Sequence, residues 1–169
     1  SGANLISFPI DGSVNVGSAL PDAIEPYVTG LITEGGASSL VDGQWQGSIT
    51  AFNGGKGYWM IASEAISFSF NQSALVRSKE LPIERVPFGY NYNQSTEQAF
   101  YFIESVEMID IGDWLLAYHG DNLIGARQWF GSYSDIPVMG DDGNSFTAGY
   151  IQAGDTPDFK LLKNNKVLP

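Results

Sequence analysis

The chain has 169 residues, enough for one sizeable domain or two small ones, and 43% of them are hydrophobic. Only 16% are charged, against roughly 25% in an average soluble domain, and 20 Gly, 10 Phe, 8 Tyr and 4 Trp stand in their place, a composition of sheets and tight turns rather than helical bundles. A net charge of -11 with only 8 basic residues, none in a run, excludes nucleic-acid binding, because phosphates need clustered Lys and Arg.

The absence of Cys excludes a disulfide framework and a thiolate metal site. No apolar stretch approaches the roughly 18 residues that span a bilayer, so no membrane insertion is expected. The start, Ser1-Gly2-Ala3, carries no signal-peptide pattern and runs straight into a strand-like segment, as in a piece of a longer protein.

In chain order, "NLISFPI" (4 to 10) is an apolar run closed by Pro9 and the Asp11-Gly12 turn pair, and reads as a buried strand. "SVNVGSALPDAIEPYV" carries the best helical signal. Ser13 is the candidate cap, Val16, Ala19, Leu20 and Ile24 recur at helical spacing, and Gly17, Pro21 and Pro26 hold the helix to two or three turns at most. "VTGLITEGG", "SSLVDGQW", "GSITAFN", "GYWMIAS" and "AISFSFN" are short β-branched and aromatic runs separated by Gly-rich turns, the pattern of a sandwich or barrel. The more charged segment from Gln72 to Val86 lacks this alternation and reads as a connector.

Beyond it, "QAFYFIESVEMI" (98 to 109) is a strand candidate. "DWLLAYHG" and "NLIGARQWFG" form a hairpin about Gly120-Asp121-Asn122, with Trp114 and Trp129 packing inward. "YSDIPVMGDDGNSFTAGYIQAGD" is loop-rich, "DFKLLKN" is a last strand, and the tail from Asn164 leads toward a further module. The expected fold is mainly β, with β-sandwich-like units over 1–76 and 77–169 and one short helix near the N-terminus.

Several of these stretches resemble a known type of module. "NLISFP", "GQWQGS" and "KGYWMIAS" in the first half are similar to a module repeated in large secreted and surface proteins of marine and Bacteroidetes-like bacteria. "GDWLLAYHGDNLIGARQW", "DIPVMGDDG" and "GYIQAGDTPDFKL" resemble its companion. The resemblance implies an extracellular or cell-surface, β-rich, non-catalytic module of a multimodular chain.

Four kinds of chemistry can be weighed on the residues. His119 is the one His of the chain. A Ser-His-Asp hydrolase needs such a residue, but no Gly-x-Ser-x-Gly elbow accompanies it, and a place beside the hairpin tip makes it a solvent-facing turn residue. Glu34, Glu64, Glu104, Asp113 and Asp121 are candidates for a glycosidase pair, yet 19 acids produce such pairs by chance and no signature selects one. Asp135, Asp141, Asp142, Asn144, Asp155 and Asp158 crowd two loops and suit Ca²⁺, which takes six to eight oxygens. The spacing is not that of an EF-hand, and Asp-Asp-Gly-Asn also makes an ordinary turn.

Aromatic residues are the fourth kind. Among Trp45, Tyr58, Trp59, Trp114, Tyr118, Trp129 and Phe130, at least half must be core. Trp45, Tyr58, Trp59 and Tyr118 are the candidates for stacking on sugar rings. The expected function is therefore adhesion or binding of a polysaccharide or cell-surface glycan, without catalysis and with Ca²⁺ as the candidate cofactor. Self-association through strand edges, as a structural subunit or spacer of a surface layer or filament, is the alternative, and a hydrolase the third reading.

Overall fold

Short antiparallel strands joined by glycine turns dominate the computed structural model, which describes residues 2–9, 11–71 and 86–169. The chain is mainly β and β-sandwich-like, with one short helix near its N-terminus, and it divides into two compact units, Ser1–Pro82 and Ile83–Pro169. The boundary expected at 76/77, and all of the expected connector except Val86, fall outside the described residues.

In the first unit β1 (Gly2–Ser7), β3 (Val28–Thr33), β4 (Gly36–Val41), β5 (Gln44–Gly47) and β7 (Gly57–Ala62) form one sheet in the order β1-β7-β3-β4-β5. β2 (Ser13–Asn15) and β6 (Ala51–Asn53) pair as a separate ribbon. Strand alternation decides what is buried. On β7, Tyr58, Met60 and Ala62 face inward, while Trp59 remains 48% exposed on the other side. Phe8, Val14, Leu31 and Phe52 complete this core, where the Phe8 and Phe52 rings lie 5.5 Å apart and Phe70 meets both edge-on.

Three local expectations change here. β1 is a strand but not a buried one: it lies at the sheet edge, and Leu5 is 65% exposed. The helix is a single turn, α1 (Val16–Ala19), within the expected limit, but its cap is Asn15, whose Oδ1 accepts the Gly17 N–H at 3.1 Å, and not Ser13, which lies in β2. It stops at Leu20, because the residue before a proline is pushed to extended backbone. "AISFSFN" keeps its period of two, with Ile66, Phe68 and Phe70 packed on the core, but pairs with no strand among the described residues. Its end is tied instead to the helix terminus, where Asn71 donates its backbone N–H to Ala19 O and Nδ2 to Leu20 O.

In the second unit β8 (Gln98–Ile103) pairs with β11 (Ser134–Met139). β9 (Trp114–His119), β10 (Asn122–Gln128), β12 (Asp158–Lys163) and β13 (Lys166–Leu168) form a sheet in the order β10-β9-β12-β13. The tail from Asn164 thus turns back as β13. The β8–β11 ribbon covers one face of this sheet, burying Leu115, Ala117, Ile124, Ile136 and Trp129. Val86, Tyr90 and Tyr92 close over the other face, above Trp114, Leu116 and Leu162. Both Trp residues of the hairpin are buried, on opposite faces.

Two features fasten ribbon to sheet. A Cβ on Gly125 would lie 1.7 Å from the Pro137 carbonyl oxygen, so only glycine lets β10 pass β11 this closely. Beside it the buried Arg127 reaches across, its Nε 2.6 Å from Asp135 O and its guanidinium 3.0 Å from Asp135 Oδ2. Asp135 is fully buried and is the counter-ion of Arg127, not a member of a carboxylate loop cluster.

Candidate functional site

The hairpin β9–β10 turns over Gly120 and Asp121, since His119 faces Asn122 in the register. Gly120 takes the positive φ of 58° that a two-residue turn needs. The side chain of His119 is not loose at the tip: its Nδ1 lies 3.0 Å from Gly149 O, and its Nε2 lies 3.9 Å from Asp155 Oδ2. Asn122 Nδ2 donates to the same Gly149 carbonyl at 3.1 Å. The end of the hairpin is therefore tied to the loop before β12.

Beside that tie lies a groove of about 410 Å³, lined by 89–91, Asn93, Tyr118, 121–123, Phe146, Ala148 and Tyr150. The size is within the roughly 300–1,000 Å³ of small-ligand sites. Its wall is built firmly. The Asn93 N–H donates to the Tyr150 hydroxyl at 2.8 Å, and Asn93 Nδ2 donates to Phe146 O at 2.8 Å. The next residue, Thr147, is fully buried, with its hydroxyl 2.6 Å from Asp142 Oδ1. Phe146 is thus presented 56% exposed on a backbone held from both sides.

In the same lining, Tyr118 and Tyr90 are half-buried. Burial, and then the neighbouring Tyr90, push the Tyr118 phenol above its ordinary pKa, so it stays an uncharged hydroxyl able to donate and accept. Lys160 Nζ lies 4.4 Å from the Tyr118 ring centroid. Aromatic surface flanked by amides and one carboxylate, Asp121, can stack on a planar apolar face and hydrogen-bond to hydroxyls around it.

The four aromatic candidates do not come together. Tyr118 lines the groove. Tyr58 is core, with its hydroxyl accepting the Asn53 N–H at 2.8 Å. Trp45 packs against the first unit's core and donates its Nε1–H to Glu25 Oε1 at 2.7 Å. Trp59 is exposed, but its cross-strand neighbours are Leu5 and Ile32, which offer a hydroxyl nothing. Of the carboxylates weighed for glycoside chemistry, Asp121 alone lines this groove.

The acidic candidates divide as well. Asp141, Asp142 and Asp155 line a second groove, of about 570 Å³, with Glu97. Asp142 is fully engaged there: Oδ2 accepts from Thr96 N and Oγ1, and Oδ1 accepts from Thr147 Oγ1 and Asn144 N. The Thr147 hydroxyl first, and then the Thr96 N–H, hold its carboxyl well below the ordinary carboxylate range. Asp141 Oδ1 accepts the Gly143 N–H and Asp155 Oδ2 the Gln152 N–H, the turn-forming role of Asx residues. Asp158 sits on β12 opposite Tyr118. Among the described residues, no three His, Cys, Asp or Glu are grouped to hold a metal ion.

The residues that composition and spacing did not single out are Tyr90, Asn91, Asn93, Phe146 and Tyr150. "GYNYN" (89 to 93) alternates aromatic and amide, which is the one local sign of them. Fold and groove together define a mainly β, sandwich-like chain with an aromatic and amide-lined groove in its second unit. No family model, curated protein or solved structure matches the chain.

Proposed function

We propose that the chain is a non-catalytic module of an extracellular or cell-surface protein, and that it mediates adhesion by binding glycan. The observation that carries this reading is the groove whose lining brings Phe146, Tyr90 and Tyr118 together with Asn91, Asn93, Asn122 and Asp121. Sugars present both an apolar C–H face and a rim of hydroxyls, and this lining answers both. A glycan array probed with the chain, in millimolar Ca²⁺ and again in EDTA, tests it. Binding in both solutions is expected, because stacking and amide hydrogen bonds need no cation. An array without a single bound glycan in either solution would sink the reading.

A second reading is favoured by a different observation. β1 is a sheet edge without a charged residue, and Leu5 and Trp59 stand exposed beside it. Natural edges are usually blunted by Lys, Pro or bulges. An unblunted edge beside an apolar stripe suits assembly of copies through added strands, as in a surface layer or filament. Sedimentation velocity across a range of concentrations separates this role from a monomeric binding module.

A further inference from the structure

We propose that the groove takes an uncharged pyranoside chain and turns away acidic sugars; this rests on the glycan-binding reading above. Phe146 is the stacking platform and Asp121 the residue that sets the class of ligand.

The charge of the lining decides the class. Asn93 Nδ2 spends one N–H on Phe146 O and Asn122 Nδ2 one on Gly149 O, so each amide keeps a second N–H beside its Oδ1. Asp121, exposed at the hairpin tip, adds two more acceptors and a negative charge. Tyr90 and Tyr118 contribute hydroxyls. None of the lining residues is Lys, Arg or His, and Lys160, whose Nζ stands over the Tyr118 ring, is not itself part of the lining. Sugar hydroxyls both donate and accept, and fit this rim. A uronate or sulfate would bring its charge against Asp121, in a chain whose net charge is already -11.

Phe146 is the platform because it alone combines large exposure with a fixed backbone. A large exposed aromatic ring that is rigidly presented loses little conformational freedom on binding, which is what makes a stacking surface effective. Removal of the ring leaves the Asn93 and Thr147 bonds, which use the Phe146 backbone and neighbouring atoms, in place.

The test uses the full chain, with a neutral hexose oligomer such as cellohexaose or mannohexaose and, in parallel, a hexagalacturonate, by isothermal titration. The wild-type chain is expected to bind a neutral oligomer and not the galacturonate. Phe146→Ala should weaken neutral binding at least tenfold with an unchanged melting temperature. Asp121→Lys should admit the galacturonate. Neutral binding that survives Phe146→Ala intact would overturn the groove as the site while leaving glycan binding standing elsewhere on the chain. Wild-type preference for the galacturonate would overturn the ligand class. A chain that binds neither oligomer, nor any array glycan, fails on the underlying function and takes this proposal with it.

Discussion

Asp135 and Arg127 illustrate how much one residue's surroundings matter. Asp135 sat in sequence among loop carboxylates, yet it is buried against a guanidinium that is itself buried. Removing one partner of such a pair leaves an uncompensated charge and costs roughly 3–5 kcal/mol. Asp135→Ala is therefore expected to shift the denaturant midpoint far more than Asp158→Ala, whose carboxylate is exposed; equal shifts would show that the pair is not what fastens β11 to β10. Asp142 makes a prediction about pH. Its folded-state pKa is depressed, so the ionised form is favoured by folding. The stability it contributes is fully present above the ordinary carboxylate range and is lost as pH falls toward the depressed value. Asp142→Asn keeps the shape but not the charge, so the melting temperature of the variant should fall less between pH 7 and pH 3 than that of the wild type. Parallel curves would assign the acid sensitivity to other groups.

At the scale of elements the tightest constraint is the crossing of β10 and β11. Gly125→Ala would force a methyl carbon into the Pro137 carbonyl, which is backbone and cannot swing aside. It is expected to destabilise more than Trp129→Ala, for which loss of a large buried aromatic costs about 3–5 kcal/mol; near-wild-type melting of Gly125→Ala would mean that the ribbon shifts freely. The elements show what the sequence could reveal. β9 was legible because Trp114, Leu116 and Tyr118 alternate with Leu115 and Ala117, and a strand apolar on both faces is covered on both faces. β1 had the same apolar richness but lies at an edge, and nothing local distinguishes an edge from a centre. "AISFSFN" had the right period without a pairing partner, since burial and not the ladder sets the alternation. The groove was least legible of all. Its walls come from residues near 90, 120 and 148, and the local signs of them, Tyr118, Asp121 and the alternation of "GYNYN", do not say that these stretches meet.

For the whole molecule, the charge and the open edge of β1 act against each other. Two copies approaching edge to edge each carry a net -11. At low ionic strength, where the screening length is about 30 Å at 0.01 M, that repulsion extends well beyond contact and keeps copies apart. At 1 M salt the screening length is about 3 Å, while the attraction between exposed Leu5 and Trp59 stripes is short-ranged and undiminished. If the β1 edge is a docking element, association must therefore grow with salt, the reverse of assembly held by ion pairs. The expected outcome in sedimentation velocity is a monomer in 10 mM NaCl and concentration-dependent association in 1 M NaCl. Leu5→Lys, which places a charge on the solvent face of the edge strand as natural edges do, should abolish that association without lowering the melting temperature, because Leu5 is mostly exposed already. A chain that stays monomeric in both salts at every concentration leaves β1 as a solvated edge and removes the self-assembling reading, while the groove of the second unit and its glycan test stand unaffected.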